Sequence, residues 1–177
     1  MWWSKAALVV GLLALGPVGC GFQPMYAKPD PQNASPVAAE LASVRILGIE
    51  DRQGQILRNA LVNRMSPLGE PGRADYILAV RLTQNQENLA ERSDGKASLG
   101  RLFISATFTL TENQKEAPVF SGSSRSVVSY RLLGPTYGST AVERDAEKRA
   151  LGDLAEDIRS QVATFFANGK RARGNRS

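Results

Sequence analysis

Residues 102–111 read Leu-Phe-Ile-Ser-Ala-Thr-Phe-Thr-Leu-Thr. Leu102, Ile104, Ala106, Phe108 and Leu110 fall on one side of an extended backbone. Ser105, Thr107, Thr109 and Thr111 fall on the other, and Phe103 is the one apolar exception. A period of two sustained over this length belongs to a strand with one buried face and one solvated face. Such a strand cannot bury its apolar side alone. It needs neighbouring strands and a second layer laid over that side.

The rest of the chain supplies both. Residues 43–49 (SVRILGI) are β-rich and read as a first strand. In residues 54–65, Ile56, Leu57, Ala60, Leu61 and Met65 recur at helical spacing, and Ser66-Pro67-Leu68-Gly69 stops the helix. Residues 74–83 place Tyr76, Leu78, Val80 and Leu82 on one face of a second strand. A polar turn over 113–117 leads into a Ser-rich fourth strand at 119–130. A helix over 141–167 then carries Leu151, Leu154, Ala155, Ile158, Val162, Phe165 and Phe166 at three- and four-residue steps. Its first turns, from Glu143 to Arg149, are nearly all polar and are expected to extend beyond the sheet. The order β-α-β-β-β-α predicts an α+β fold: a two-layer α/β sandwich, with a four-stranded mostly antiparallel sheet and two helices on one face. The other face carries Thr, Ser and Arg and is left to water or a partner.

Several kinds of chemistry are excluded by composition. The chain has no histidine, so it has neither a His base nor a His metal ligand. Its one cysteine permits no intramolecular disulfide and no thiolate zinc cluster. No metal or other cofactor is expected. The net charge of +5 could suggest a nucleic-acid partner. However, Lys170, Arg171, Arg173 and Arg176 crowd the last nine residues, so the excess sits in a tail rather than in a groove. No nucleic-acid partner is expected. The carboxylates Glu87, Glu91, Asp153, Glu156 and Asp157 read as surface charge.

The amino-terminal residues MWWSKAALVVGLLALGPVGC place Lys5 before an apolar run over 6–15, and small or turn-forming residues before Cys20. That is the pattern of a secretory signal, too short to span a bilayer comfortably. Gly19 and Val18 fit a lipoprotein cleavage site, while Pro17 stands where Leu is commonest. Residues 1–19 are expected to be removed and Cys20 to be acylated, holding the protein on a membrane through its lipid. Gly21 follows the cysteine, not the Asp that commonly retains lipoproteins in the inner membrane, so the expected location is the outer membrane, facing the periplasm. Pro24, Pro29, Pro31 and Pro36 make residues 20–42 a Pro-rich tether. The folded domain is expected over 43–168, and residues 169–177 as a basic disordered tail.

The heptapeptide Cys20-Gly21-Phe22-Gln23-Pro24-Met25-Tyr26 resembles the start of the mature chain in the LptE (RlpB) family of LPS-assembly lipoproteins, with Met25 where Leu is frequent. The β-α-β-β-β-α order is similar to that family's two-layer fold. The resemblance implies a non-enzymatic role. Such a subunit plugs an LptD-like outer-membrane β-barrel, helps it assemble, and contacts lipopolysaccharide during insertion into the outer leaflet. It also implies lipopolysaccharide-contacting cations at the hairpin between the second and third strands. The polar loop over 84–101 holds the candidates Arg92, Lys96 and Arg101 with an Asp94-Gly95 turn, and Arg92 and Lys96 are the nearest matches. Arg125, Arg131 and Arg144 could join them in space. The plain alternative for all of these is solvated surface charge. Two other functions stay open: a periplasmic envelope scaffold of similar fold, and an envelope hydrolase using Ser93 and Lys96. The hydrolase has only the letters Ser-x-x-Lys in its favour, without the companion motifs.

Overall fold

The computed structural model describes residues 35–91, 97–131 and 136–174. Within them the elements run α1 (Pro36–Ala42), β1 (Val44–Ile46), α2 (Asp51–Met65), β2 (Tyr76–Glu91), β3 (Ala97–Glu112), β4 (Pro118–Arg131) and α3 (Thr136–Gly174). The sheet order is β1-β2-β3-β4, with β1 parallel to β2 and the other pairs antiparallel. The expected α+β sandwich is therefore the observed fold. Helix α2 forms the crossover that a parallel β1–β2 pair requires.

The alternation in β3 carries through the whole sheet. Leu102, Ile104, Ala106, Phe108 and Leu110 are buried, together with Leu78 of β2 and Val128 and Tyr130 of β4. Against them lie Leu57, Leu61 and Met65 of α2 and Ala146, Ala150, Leu151, Leu154, Ile158, Val162 and Phe166 of α3. The register places Ser121, Ser123, Arg125, Val127 and Ser129 of β4 on the opposite, exposed face with Thr107 and Thr109.

Two glycines let aromatic rings lie flat across the buried face. A Cβ on Gly100 would stand 2.6 Å from Cζ of Tyr130, its cross-strand partner, and one on Gly122 would stand 2.5 Å from Cζ of Phe108. Both distances are well inside van der Waals contact, so each ring occupies the space that a side chain would fill.

The structure departs from expectation in five places. The first strand keeps only three paired residues. Leu47 N still donates to Leu78 O at 3.0 Å, after which the chain turns at Gly48 to begin α2 at Asp51, three residues before the expected start. Residues 36–42, expected to be tether, form a helix. Pro36 takes its first turn, where a missing N–H costs nothing, and Ser35 Oγ accepts from Ala38 N at 3.2 Å. Leu41 of that helix is in the core, so the folded unit begins at Ser35 and not at residue 43. Most of the polar segment 84–101 is strand: Gln84 through Glu91 pair with Ile104 back to Ala97.

Because β2 and β3 run that far, the first turns of α3 do not overhang the sheet. They pack on it through Ala146 and Ala150, which are fully buried, with Leu102 and Tyr130 also buried on the sheet face toward the helices. Ala and Gly contribute too little apolar surface for the stripe to show in the sequence. Finally, the helix continues to Gly174, past its expected end at residue 167.

Candidate functional site

Cys20, Arg92 and Lys96 lie outside the described residues, as do Ser93 and the turn Asp94-Gly95. Arg101 is described. It sits in β3 on the open face, directly opposite Glu87 of β2 and Ser129 of β4. One row along on the same face, Phe103 pairs with Asn85 and Val127. In the next row, Ser105 pairs with Thr83 and Arg125.

Register thus brings together two arginines that are 24 positions apart in sequence. The Arg101 guanidinium lies 6.0 Å and the Arg125 guanidinium 5.0 Å from the centroid of the Phe103 ring. Aromatic faces attract guanidinium groups at these distances and leave their N–H edges free. Phe103 entered the sequence pattern as an apolar exception; on the sheet it is the platform between two cations.

Arg81 and Arg131 share this face, one in the row of Thr107 and Ser123, the other paired to Leu99. Among the described residues no carboxylate forms an ion pair with Arg81, Arg101, Arg125 or Arg131. Arg144, in contrast, is on α3. It lines a cleft of about 200 Å³ on the helix side of the sheet, with Gln84, Gln86, Leu102, Tyr130 and Glu147, so it does not join the other arginines.

That cleft is braced rather than open to chemistry. Gln86 Nε2 donates to the Tyr130 hydroxyl at 2.5 Å, and Arg52 pairs with Glu147 at 3.6 Å. Burial raises the Tyr130 phenol above its ordinary value and Glu143 raises it further, against the Gln86 hydrogen bond. The carboxylates of α3 have structural partners. Asp153 accepts from Ser126 Oγ at 3.3 Å, and Asp157 accepts from Gln161 at 3.0 Å. Glu156 bridges Arg64 at 3.3 Å and Arg159 at 3.0 Å.

Residues 41–162 match the sequence profile described as LptE: Lipopolysaccharide-assembly. The chain belongs to the LptE family. The matched segment runs from the core residue Leu41 to the core residue Val162, so it lies within the folded unit and covers most of its core. No curated protein matches the chain significantly.

Solved structures share the fold. A candidate lipoprotein from Caulobacter crescentus is similar with a TM-score of 0.61 and 26% identity, over 74% of this chain and 96% of that one. A minor lipoprotein from Acinetobacter baumannii follows at 0.57 and 19%, over 70% and 92%. Rare lipoprotein B from Shewanella oneidensis is similar at 0.50 and 17%, over 71% and 99%. The last two identities speak to the fold alone. Membership in LptE makes this an LPS-assembly lipoprotein of a non-enzymatic family. Among the described residues, no helix is long and apolar enough to cross a membrane.

Proposed function

We propose that this chain is the outer-membrane lipoprotein subunit of a lipopolysaccharide translocon. It is anchored through acylated Cys20 on the periplasmic side and seated in an LptD-like β-barrel that it plugs and helps assemble. In this reading it contacts lipopolysaccharide through the basic end of its β2–β3 hairpin, with Arg92, Lys96 and Arg101 as the contacting cations. The family match over 41–162 carries the proposal.

The surface chemistry supports it. A plug must present polar groups to a polar lumen, and the open sheet face does so with rows of Ser and Thr. Lipopolysaccharide is rich in phosphate and carboxylate, which guanidinium groups recognise through paired charge-assisted hydrogen bonds. Arg101 stands on that face, and among the described residues no carboxylate forms an ion pair with it.

The test is affinity purification of the acylated protein from outer membranes. A large β-barrel protein should accompany it, and recovery without one refutes the docking. Arg92→Ala combined with Lys96→Ala should weaken binding to lipopolysaccharide, and unchanged binding would remove the hairpin tip from the site. Cys20→Ala should abolish labelling by radioactive fatty acid; a mutant that still takes up the label overturns the anchor.

A further inference from the structure

The hairpin does not account for the open face of the sheet. Between the rows of Ile77 and Leu99, the charged residues on that face are Arg81, Arg101, Arg125, Arg131 and Glu87. In that span the open face therefore carries four arginines against one carboxylate.

We propose that Arg101, Phe103 and Arg125 form a phosphate-binding subsite for an anionic lipid headgroup on the sheet face, which shares Arg101 with the proposed hairpin contact but does not depend on Arg92 or Lys96. Three observations carry this. First, the two guanidinium groups flank one ring at 6.0 and 5.0 Å, which restricts their motion before any ligand arrives. Second, neither forms an ion pair with a carboxylate among the described residues, so an incoming anion displaces none of those. Third, the cations stand beside exposed apolar surface. Val127, 49% exposed, pairs with Phe103 on that face.

A strip of cations bordered by apolar side chains fits a molecule whose phosphates adjoin hydrocarbon. An acidic protein surface would match the charge but leave the apolar border unsatisfied. Ser105, directly opposite Arg125, and Thr83 in the same row add hydroxyl groups that can donate to the remaining phosphate oxygens. The inference depends on the reading above only for which lipid arrives; the anion site follows from the sheet itself.

The test uses the full-length acylated protein and Arg125→Gln, a change at an exposed side chain that leaves the core untouched. Binding to purified lipopolysaccharide should weaken about tenfold, as expected for losing one charge-assisted contact of a pair. Binding of the parent should fall with added salt. The same lipopolysaccharide after removal of its phosphates should bind parent and variant alike. Phe103→Leu, which keeps the bulk but removes the ring, should give a smaller loss on the phosphorylated lipid only.

If Arg125→Gln binds like the parent while the Arg92→Ala and Lys96→Ala protein loses binding, the subsite is refuted and the hairpin reading stands. If Arg125→Gln loses the co-purified barrel but keeps its lipid affinity, the face belongs to an acidic protein surface and the inference is overturned. If the parent binds no lipopolysaccharide, the lipid contact of the proposed function fails. The subsite then survives only if phosphatidylglycerol vesicles bind the parent and not Arg125→Gln, and it falls if they do not.

Discussion

Replacing Gly100 by Ala puts a methyl group where the Tyr130 ring already lies. The added Cβ would stand 2.6 Å from Cζ, 2.8 Å from Cε2 and 2.8 Å from the hydroxyl oxygen. Carbon atoms in contact prefer about 3.5–4.0 Å, so the ring must shift by about 1 Å. It has little room to do so. Tyr130 is 4% exposed, and together with Thr140 and Glu143 it lines the cleft between sheet and α3. Overpacking of this kind costs about 1–3 kcal/mol, and misplacing the hydroxyl from Gln86 adds about 1 kcal/mol. Ala recovers roughly 0.5 kcal/mol over Gly in a strand interior. The net loss is about 2–3 kcal/mol, which for a domain of this size lowers Tm by on the order of 10 °C.

Thermal unfolding followed by circular dichroism reads this directly, with Gly72→Ala as the control, because a Cβ there meets nothing within 4 Å. Combining Gly100→Ala with Tyr130→Val should cost less than the two changes added, since the smaller side chain vacates the contested space. A Gly100→Ala protein that melts with the Gly72→Ala control would show that the ring does not lie across the glycine, and the reasoning would fail.

Three further outcomes follow from the same packing and electrostatics. Leu154→Ala, at a helix position 1% exposed between sheet and α2, should lower stability by about 2–5 kcal/mol in urea titrations. Gln114 holds φ at +72° in the β3–β4 turn, so Gln114→Gly should stabilise by about 0.5–1 kcal/mol, seen as a higher Tm. The Tyr130 phenol binds its proton more tightly folded than unfolded. Its contribution is therefore fully present below pH 10 and is lost as pH rises through the higher folded value. Stability measured above pH 10 should accordingly fall less steeply in Tyr130→Phe than in the parent, and equal slopes would remove Tyr130 from the linkage.

Much of the fold was legible from periodicity alone. The alternation at 102–111, broken only by Phe103, assigns one face to the core, because a period of two has only one way to sort these residues. The stripe from Leu151 to Phe166 did the same for the last helix. In contrast, the segment 84–101 read as a loop because Gln84, Asn85, Gln86, Glu87 and Asn88 are polar on both faces. Their strand state is imposed by pairing to β3, a non-local interaction that leaves no local pattern. The same holds for α1, where the signal of Pro36 pointed to extended backbone. Only the burial of Leu41 and the Ser35 cap make it a helix of the domain.

What the sequence determined by itself was the chemistry available: no histidine, one cysteine placed after a signal-like segment, a family-like heptapeptide, and a half-apolar sheet with helices over one side. What only the tertiary structure decided was company. Arg101 and Arg125 could be counted in the sequence, but their meeting over Phe103 depends on the β3–β4 register that aligns Ser105 with Arg125. A one-residue slip of β4 against β3 would send Arg125 to the face opposite Arg101 and Phe103, so the site is a property of the pairing and of the buried face that holds it in place.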